Sequence, residues 1–311
     1  MHSPAHEEKT PRVSIGLPVY NGDGYLEEAI TSILSQSFDD LELIISDNAS
    51  TDRTEEICRR FAAQDERVHY HRLEQNEGAA PNYNKVFELA RGEFFKWAAH
   101  DDLCLPDFVE LCVAALDRAP PSVVLAYPGS RYIDGDGRDL GPDTDDMRVH
   151  GGSPHSRLRR CLATVNMAGP VFGLIRSDVL RCTRLIDSFI ASDYVLIAEL
   201  GLLGDFVQLP EMLFLRRIHQ ESSREANKDD DDVLAWFDPK RKSNGRLSVR
   251  QRLMLEYARS VRRLVRPALE RALCLAVIPA TMAERRVRVV GGRWKRIVKR
   301  RVLGAAAGGT T

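Results

Sequence analysis

Short apolar runs and amphipathic stretches alternate along the first 130 residues, and this alternation constrains the fold more than any other feature of the sequence. Five runs have the length of strands, at 13–19, 41–45, 68–72, 93–99 and 123–127. The stretches between them have helical spacing, at 25–36, 53–64, 82–91 and 106–117. Strands that alternate with helices of this length form βαβ units. The sequence therefore predicts an α/β fold with a parallel sheet flanked by helices.

Polar residues follow three of these predicted strands. The pairs are Tyr20-Asn21 after the first strand, Asp47-Asn48 after the second and Asp101-Asp102 after the fourth. Ligands of parallel sheets collect at the carboxyl ends of the strands, so we expect the pairs to converge there. Two adjacent carboxylates repel each other unless a cation lies between them, and Mg²⁺ and Mn²⁺ prefer oxygen ligands. Asp101-Asp102 thus suggests a metal that holds a phosphorylated substrate, with an exposed acidic loop as the alternative.

Composition and charge are those of an ordinary soluble protein. The 311 residues are 43% hydrophobic and 29% charged, and this length allows one large domain or two smaller ones. No run approaches the roughly 18 apolar residues of a membrane span, and residues 1–11 hold no apolar signal segment. The six cysteines show no CxxC spacing, which favours reduced thiols over disulfides or metal ligands. We therefore expect a cytoplasmic protein.

Four segments between residues 12 and 110 have the order and spacing of a known family. They are 14–21 with Pro18-Val19-Tyr20-Asn21 at its end, 45–52 with Asp47, 76–93 with Asn76 and Asn84, and Asp101-Asp102 followed by Pro106. Together they resemble the family 2 glycosyltransferases, which are inverting enzymes with a GT-A fold. The resemblance is looser over 165–223 and does not extend to 240–311.

The resemblance implies a particular fold and domain organisation. The fold is of the GT-A type, with a Rossmann-like, mostly parallel central sheet flanked by helices. A glycosyltransferase domain is expected at 12–227, with a nucleotide-binding half at about 12–130 and an acceptor half at about 131–227. Residues 1–11 are predicted to be disordered, and 228–311 to form an acidic hinge and a helical, basic C-terminal extension.

The same resemblance implies a site for a nucleotide-sugar. Pro18, Val19, Tyr20 and Asn21 would line the base pocket, and Asp47 would accept a hydrogen bond from the imide N–H of the base. That contact favours uracil or thymine over guanine, and hence a UDP- or dTDP-sugar, although Asp-Asn is also common in plain turns. The other predicted donor-binding residues are Asn76, Asn84, His100, Asp101 and Arg217.

A divalent metal, Mn²⁺ or Mg²⁺, is the implied cofactor. By the resemblance, Asp101 would coordinate an ion that bridges the diphosphate, and we add Asp102 and His219 as candidate ligands. A lone histidine is more often structural, so that interpretation of His219 stays open. Ala99 stands where the family often has the first acid of its D-x-D-D motif, and His100 either substitutes for that acid or is a packed histidine.

Asp193 is the predicted catalytic base. Inverting transfer needs a carboxylate that takes the proton of the acceptor hydroxyl as this attacks the anomeric carbon. In the family this is the aspartate of an E-D pair at the start of a helix, and Ser192-Asp193 stands at that place before a predicted helix over 192–203. Ser192 replaces the usual glutamate. The alternative is an acid that merely offsets the helix dipole.

The leading hypothesis is an inverting, metal-dependent glycosyltransferase of bacterial-type surface glycan or glycolipid synthesis. The family's Q-x-x-R-W element of processive members is absent from the sequence, so we expect one sugar to be added per encounter. A nucleotide-sugar-binding pseudoenzyme is the alternative suggested by Ala99 and Ser192. A nucleotidyltransferase ranks last, because the loop at 20–24 carries no positive charge to hold a triphosphate.

A basic segment stands near the end of the chain. Residues 285–301 carry nine Lys/Arg and no acid, interleaved with apolar residues that include Trp294, although the formal net charge of the whole chain is −1. Such a segment suits an anionic lipid surface, and thus a lipid-linked acceptor at the inner face of the cell membrane. A solvated tail is the alternative. No nucleic-acid partner is expected, since no RNA- or DNA-binding motif is present.

Overall fold

The computed structural model describes residues 10–143, 147, 149–165, 169–219, 236–237 and 247–284. Three predicted features lie largely or wholly outside these ranges, namely the disordered N-terminus, the acidic hinge at 228–232 and the basic segment at 285–301. The described residues form an α/β fold with a helical C-terminal region, as predicted. No helix within them is long and apolar enough to cross a bilayer.

Strands and helices alternate through the first half of the chain. The strands are β1 (Val13–Val19), β2 (Leu41–Asp47), β3 (Val68–Arg72), β4 (Phe94–Trp97), β5 (Leu103–Cys104), β6 (Val123–Ile133), β7 (Asp139–Pro142), β8 (Leu174–Arg176) and β9 (Asp205–Arg217). The helices are α1 (Leu26–Leu34), α2 (Thr54–Gln64), α3 (Ala79–Glu88), α4 (Phe108–Arg118), α5 (Pro154–Thr164), α6 (Ser177–Arg181), α7 (Ser192–Leu203) and α8 (Val249–Leu264), with α9 at 268–284.

All nine strands join one sheet with the order β3-β2-β1-β4-β8-β6-β9-β5, and β7 pairs with β6. The first four strands are parallel, as the βαβ pattern predicts. The second half is mixed, because β5, β7 and β8 run antiparallel to their neighbours while β6 and β9 are parallel to each other. The parallel half carries the predicted nucleotide site, and the mixed half extends the sheet beyond it.

Two strands are longer than the sequence predicts, because each contains a proline that interrupts its apolar pattern. Apolar patterning predicts a strand at 123–127 and a short one at 213–215, but β6 extends to Ile133 and β9 begins at Asp205. Pro128 and Pro210 lie inside these strands and have no N–H for the ladder. The β6 and β9 ladder accommodates the first of them by a register shift between Tyr127 and Gly129. The stretch 134–156 is rich in Gly, Asp and Pro, which is typical of a surface loop, but it contains β7 and the start of α5.

The sheet is covered on both faces. Every residue of β1 and β2 is buried, which explains why these strands are mostly apolar on both faces. One core lies under α1, α2 and α4, and a second contains residues of α3, α5, α6 and α7. Helices α8 and α9 add a third core, in which Tyr257 and Ile278 pack with residues of α5 and α7.

A buried ion network fastens α8 to α7. Glu199 of α7 is 1% exposed and accepts hydrogen bonds from the Arg184 backbone N–H (2.8 Å), Arg184 Nε (3.0 Å), Ser260 Oγ (2.7 Å) and Arg263 Nη2 (2.8 Å). Glu256 of α8, also 1% exposed, accepts from Arg184 Nη1 at 2.7 Å. Arg184 thus joins the two helices, and the network holds α7, whose first turn carries Asp193.

Glu199→Ala is expected to destabilise the protein by about 2–3 kcal/mol, because it leaves the buried Ser260 hydroxyl and the backbone N–H and Nε of Arg184 without the carboxylate acceptor that they share. Urea unfolding at neutral pH measures the change. Arg59→Ala is the matched control, since it breaks the solvent-exposed ion pair of Arg59 with Glu55 and should cost less than about 1 kcal/mol. An equally small loss in Glu199→Ala would show that the network does not stabilise the contact of α8 with α7.

Candidate active site

The carboxyl ends of β1 and β2 are tied together at one edge of the sheet. The Val19 carbonyl accepts the backbone N–H of Asn48 at 2.9 Å. The Asn82 side-chain amide reaches from α3 and donates to both the Val19 carbonyl (3.3 Å) and the Ser46 carbonyl (3.0 Å). Pro18 lies beside Ser46 in this ladder. The structure therefore brings the predicted residues of the first two strand ends together.

The turn after β1 is held by the loop after β2. Asn21 has a left-handed backbone with a φ of 49°, which asparagine tolerates better than most residues. Its backbone N–H donates to Ser50 Oγ at 2.9 Å, and its Oδ1 accepts the Thr51 N–H at 2.8 Å. Tyr20 beside it is 43% exposed. This arrangement presents the Tyr20 ring to solvent at the strand ends, where a base could stack.

Asp47 is held by partners within the protein. It is fully buried, its Oδ1 accepts the Ser50 N–H at 2.8 Å, and its Oδ2 accepts from Tyr70 OH (2.8 Å) and Arg72 Nη1. The Asp47 carboxylate is therefore bound by protein groups in this structure, and its contact with a nucleobase stays a prediction. Asp47 fixes Tyr70 and Arg72 beside the strand ends.

Asn76 and Asn84 also make internal bonds. Asn76 Oδ1 accepts from Asn48 Nδ2 (3.0 Å) and from the Gly78 N–H (2.9 Å), which shapes the loop before α3. Asn84 Nδ2 donates to the Ile186 carbonyl at 2.7 Å, and Asn84 Oδ1 accepts the Ile186 N–H at 3.1 Å. Asn84 thus links α3 to the segment that precedes α7, a positioning role that its sequence motif does not reveal.

His100 lies against the turn after β1. A Cβ built on Gly22 would come within 2.6 Å of His100 Cδ2, so the ring packs where only glycine leaves room. His100 is therefore at the nucleotide side of the acidic pair, beside the segment that carries Tyr20 and Asn21. This position agrees with either of the two interpretations left open for His100.

Asp101 and His219 meet at the centre of the site. Asp101 Oδ2 lies 3.0 Å from His219 Nε2, and both side chains are largely buried. The Tyr25 ring lies 4.7 Å from the His219 ring between centroids. These two residues are 118 positions apart in the chain, and β9 brings His219 to the end of β4.

Asp102 turns away from this pair. Its Oδ1 accepts the backbone N–H of Arg217 at 2.8 Å, and burial, followed by the adjacent Asp101 charge, raises its pKa. Among the described residues no three His, Cys, Asp or Glu side chains form a metal-ligand group. Asp102 thus anchors the end of β9, and the metal-binding role of Asp101, Asp102 and His219 stays a prediction.

The Arg217 side chain is bound by groups of the protein itself. Its Nε donates to the Asp101 carbonyl (3.0 Å), its Nη1 to the Gly135 carbonyl (3.1 Å) and its Nη2 to Glu28 Oε2 (2.7 Å). Its guanidinium also stacks on the Tyr25 ring, 4.4 Å from the centroid. Every guanidinium nitrogen of Arg217 thus has a partner within the protein, and the contact of Arg217 with the donor stays a prediction. Arg217 holds the backbone of Asp101 in place.

Arg216 is the arginine that faces the site. It lies on the opposite face of β9 from Arg217, with Nη1 3.4 Å from Asp143 Oδ2. Burial raises the pKa of both Asp102 and Asp193, and the positive charge of Arg216 offsets part of this rise. Arg216 is therefore close to both carboxylates, where it can neutralise an anionic ligand.

Asp193 lies in the first turn of α7, as predicted. Its Oδ1 accepts the Tyr194 N–H at 3.0 Å. Burial raises the pKa of Asp193 to about 6. The helix begins after Ala191, which has a left-handed φ of 64°, and such strain in a residue other than glycine is often found at functional sites.

Tyr83 connects the acids of the site. Burial, together with the charges of Asp101, Asp102 and Asp193, raises the pKa of the Tyr83 phenol. The charges of the three carboxylates thus all act on one side chain of α3, although the carboxylates come from two distant segments of the chain. Tyr83 and Tyr25 are residues that sequence reasoning missed. Tyr83 adjoins Asn84 of the recognised motif, but no signal in the sequence singles out Tyr25.

The pair of Asp101 and His219 fits a divalent metal. One carboxylate oxygen and one imidazole nitrogen, 3.0 Å apart, are donors that Mn²⁺ accepts, and Mg²⁺ sites also use few protein ligands and complete their shell from phosphates. The donor set is too small for a closed structural site, which usually has four ligands. It suits an ion shared with a bound diphosphate.

The family assignment follows from a match over more than half of the chain. Residues 14–184 match the model of the family described as glycosyl transferase family 2. The chain belongs to glycosyltransferase family 2. The match covers the strand ends, the acidic pair and Arg184, but it stops before Asp193, Arg216 and His219. For those residues the geometry above, rather than the family match, carries the interpretation.

Curated relatives of this family 2 chain include an uncharacterized glycosyltransferase of Rickettsia typhi, 31% identical over 181 residues. That alignment covers 58% of the chain and 52% of the relative, so the chain spans about half the length of this relative. A Bacillus subtilis protein, TuaG, named as a candidate glycosyltransferase of teichuronic acid biosynthesis, is 40% identical over 100 residues, or 32% of the chain and 40% of TuaG.

Solved structures share the fold at low sequence identity. Staphylococcus aureus TarS 1–349 in complex with UDP-GlcNAc aligns with a TM-score of 0.56 and 16% identity, over 91% of this chain and 92% of that one. The Pyrobaculum calidifontis mannosyltransferase PcManGT in complex with GDP-Man and Mn²⁺ aligns with a TM-score of 0.52 and 17% identity, over 98% and 77%. These alignments confirm the predicted GT-A fold.

Proposed function

We propose that the protein is an inverting, divalent-metal-dependent glycosyltransferase that moves one sugar from a UDP- or dTDP-sugar to an acceptor hydroxyl. The observation that carries the proposal is the pairing of Asp101 Oδ2 with His219 Nε2 at 3.0 Å, together with Asp193, a separate carboxylate whose charge, like that of Asp101, acts on Tyr83. The pair offers two metal-binding side chains, and Asp193 is a second carboxylate that is not needed for the metal. Such a division suits transfer from an activated phosphate donor.

Asp193 acts as the general base in this proposal. Burial raises its pKa to about 6, so at neutral pH it is ionised and remains basic enough to accept a proton. It takes the proton of the acceptor hydroxyl while the hydroxyl oxygen forms a bond to the anomeric carbon. The bond from that carbon to the diphosphate oxygen breaks on the opposite face, which inverts the configuration.

Asp101 and His219 would hold Mn²⁺ or Mg²⁺. The ion would offset the charge that develops on the departing nucleoside diphosphate. Arg216, whose charge acts on Asp102 and Asp193, would neutralise charge on the diphosphate. Arg217, Tyr25 and Glu28 hold the metal-binding pair in position.

The donor base is proposed to lie at the ends of β1 and β2. Tyr20 offers an exposed ring, and His100 closes the same region against Gly22. The choice of uracil or thymine rests on Asp47 with its bound Tyr70 and Arg72. The UDP-GlcNAc of the TarS complex supports a uridine donor, whereas the GDP-Man of PcManGT shows that this fold also serves guanosine.

The acceptor is proposed to be a bacterial surface glycan or glycolipid. The likeness to TuaG supports this assignment. Residues 12–227 would form the catalytic domain, and the basic segment at 285–301 would bring the enzyme to an anionic membrane where a lipid-linked acceptor lies.

Donor hydrolysis tests the proposal and separates it from a pseudoenzyme, which Ala99 and Ser192 still favour as the second candidate. The protein is incubated with Mn²⁺ and a panel of UDP-, dTDP- and GDP-sugars, and release of the nucleoside diphosphate is measured. Slow release from a uridine or thymidine donor is expected. Tight UDP binding without release from any donor would instead identify a binding protein, and release from GDP-sugars alone would refute the proposed base pocket.

The rate of transfer is expected to depend on the ionisation of Asp193. Its pKa of about 6 lies above the usual value of 3.8 because of burial, so the base loses its proton as the pH rises through 6. Below pH 6 the value of kcat/KM should fall about tenfold per pH unit, and above it should level off. The profile is measured at saturating Mn²⁺. A flat profile from pH 5 to about 7 would contradict the assignment of the base.

A further inference from the structure

Helix α9 carries an apolar face that the described residues leave uncovered. Its exposed residues recur every three or four positions and so share one side of the helix. Six of them are Leu269, Ala272, Leu273, Ala276, Ala280 and Ala283. Leu269 is 76% exposed and Leu273 is 39% exposed, which makes them the most prominent apolar groups of this face.

The other side of α9 is already fastened to the protein. Cys274 and Ile278 are buried in a core with Leu158 of α5. At the start of the helix, Glu270 Oε1 accepts the His155 backbone N–H at 2.6 Å. The orientation of α9 is therefore fixed by its own packing, and the apolar face points outward from a docked helix.

Positive charge stands on both sides of α9 in the sequence. The exposed residues at 259–267 before the helix are Arg259, Arg262, Arg263, Arg266 and Pro267. From 259 to 283 no acidic residue is exposed. Directly after the helix, residues 285–301 contribute nine Lys/Arg and no acid. A second copy of the chain would bring these like charges together, whereas an anionic surface would neutralise them.

We propose that α9 is a membrane-docking helix that lies flat on an anionic lipid bilayer. Leu269 and Leu273 enter the boundary between headgroups and acyl chains, and the arginines at 262 and 266 contact lipid phosphates. This inference rests on the proposed function, because a lipid-linked acceptor would be the reason for the enzyme to bind a membrane. In this proposal α9 makes the apolar contact with the bilayer, and the basic segment at 285–301 adds electrostatic attraction.

Vesicle co-sedimentation of the full chain tests this assignment. The lipids are phosphatidylcholine alone and phosphatidylcholine mixed with phosphatidylglycerol. The double variant Leu269→Glu with Leu273→Glu is compared with the double variant Leu89→Glu with Leu140→Glu. The control adds the same charge at two leucines that are 37% and 56% exposed on other parts of the surface.

The wild-type chain and the control are expected to bind the anionic vesicles. The α9 variant is expected to bind them at least about tenfold more weakly, because it lacks the two leucines whose transfer from water to lipid stabilises the bound state. Equal binding by all three chains, or by none, would overturn the proposal. A wild-type dimer in analytical ultracentrifugation that the α9 variant converts to monomer, with vesicle binding unchanged, would assign the face to a second copy instead. Donor hydrolysis without vesicles reports the proposed function separately, so either idea can fail alone.

Discussion

Replacement of Asp193 by asparagine is expected to lower the rate of sugar transfer by about 10³-fold, within the range that a general base contributes. Asparagine keeps the shape of the side chain and can still accept the Tyr194 N–H that Asp193 Oδ1 accepts at 3.0 Å. It cannot take the proton of the acceptor hydroxyl. Binding of UDP in the presence of Mn²⁺ should change by no more than about twofold, because the metal pair of Asp101 and His219 stays intact.

Asp178 provides the matched control for this experiment. It lies in the first turn of α6, and its Oδ1 accepts the next backbone N–H, that of Val179, at 2.8 Å. Asp178→Asn therefore removes the same charge from the same position of a helix, and it should leave transfer unchanged. If Asp193→Asn retains transfer, or if both variants lose it equally, then Asp193 only offsets the helix dipole and the base lies elsewhere.

The first half of the fold could be predicted because its signals are local. The strands β1, β2 and β4 are short, buried and mostly apolar runs, and helices with their own periodicity separate the first four strands along the chain. The start of β9 could not be read in this way, since Pro210 and Glu211 interrupt the run and the partner strand β6 lies about 80 residues earlier. Pairing between distant segments decides such strands, and a single sequence does not show it.

The candidate site divides in the same manner. Asp101 and Asp193 could be identified from their motifs and from their places at a strand end and a helix start. The separate roles of Asp101 and Asp102 could not, because they depend on the Arg217 N–H that approaches Asp102 alone. Arg216 and Arg217 are neighbours of one residue type in the sequence, but the two faces of β9 give them opposite surroundings.

Asp101→Asn is expected to remove the metal-dependent part of UDP affinity, a loss of about 100-fold in Mn²⁺. The amide carries no charge and is a poorer ligand for a hard cation than a carboxylate. The Asp101 backbone carbonyl, which accepts Arg217 Nε, is untouched by the substitution, so the local fold should persist. Calorimetric titration with UDP, with Mn²⁺ and then with chelator, measures the affinity in both states.

Glu28→Gln separates ligation from charge in this test. Glu28 has the same charge as Asp101 and is exposed. It accepts a hydrogen bond from Arg217 Nη2 at 2.7 Å, so it contacts the metal pair only through Arg217. Its loss should weaken UDP binding in Mn²⁺ by no more than about tenfold. In chelator, all three proteins should bind UDP with similar affinity. If Asp101→Asn keeps its response to Mn²⁺, or if Glu28→Gln loses it equally, then the cation is not bound by the Asp101 carboxylate, and the pairing of Asp101 with His219 has only a structural role.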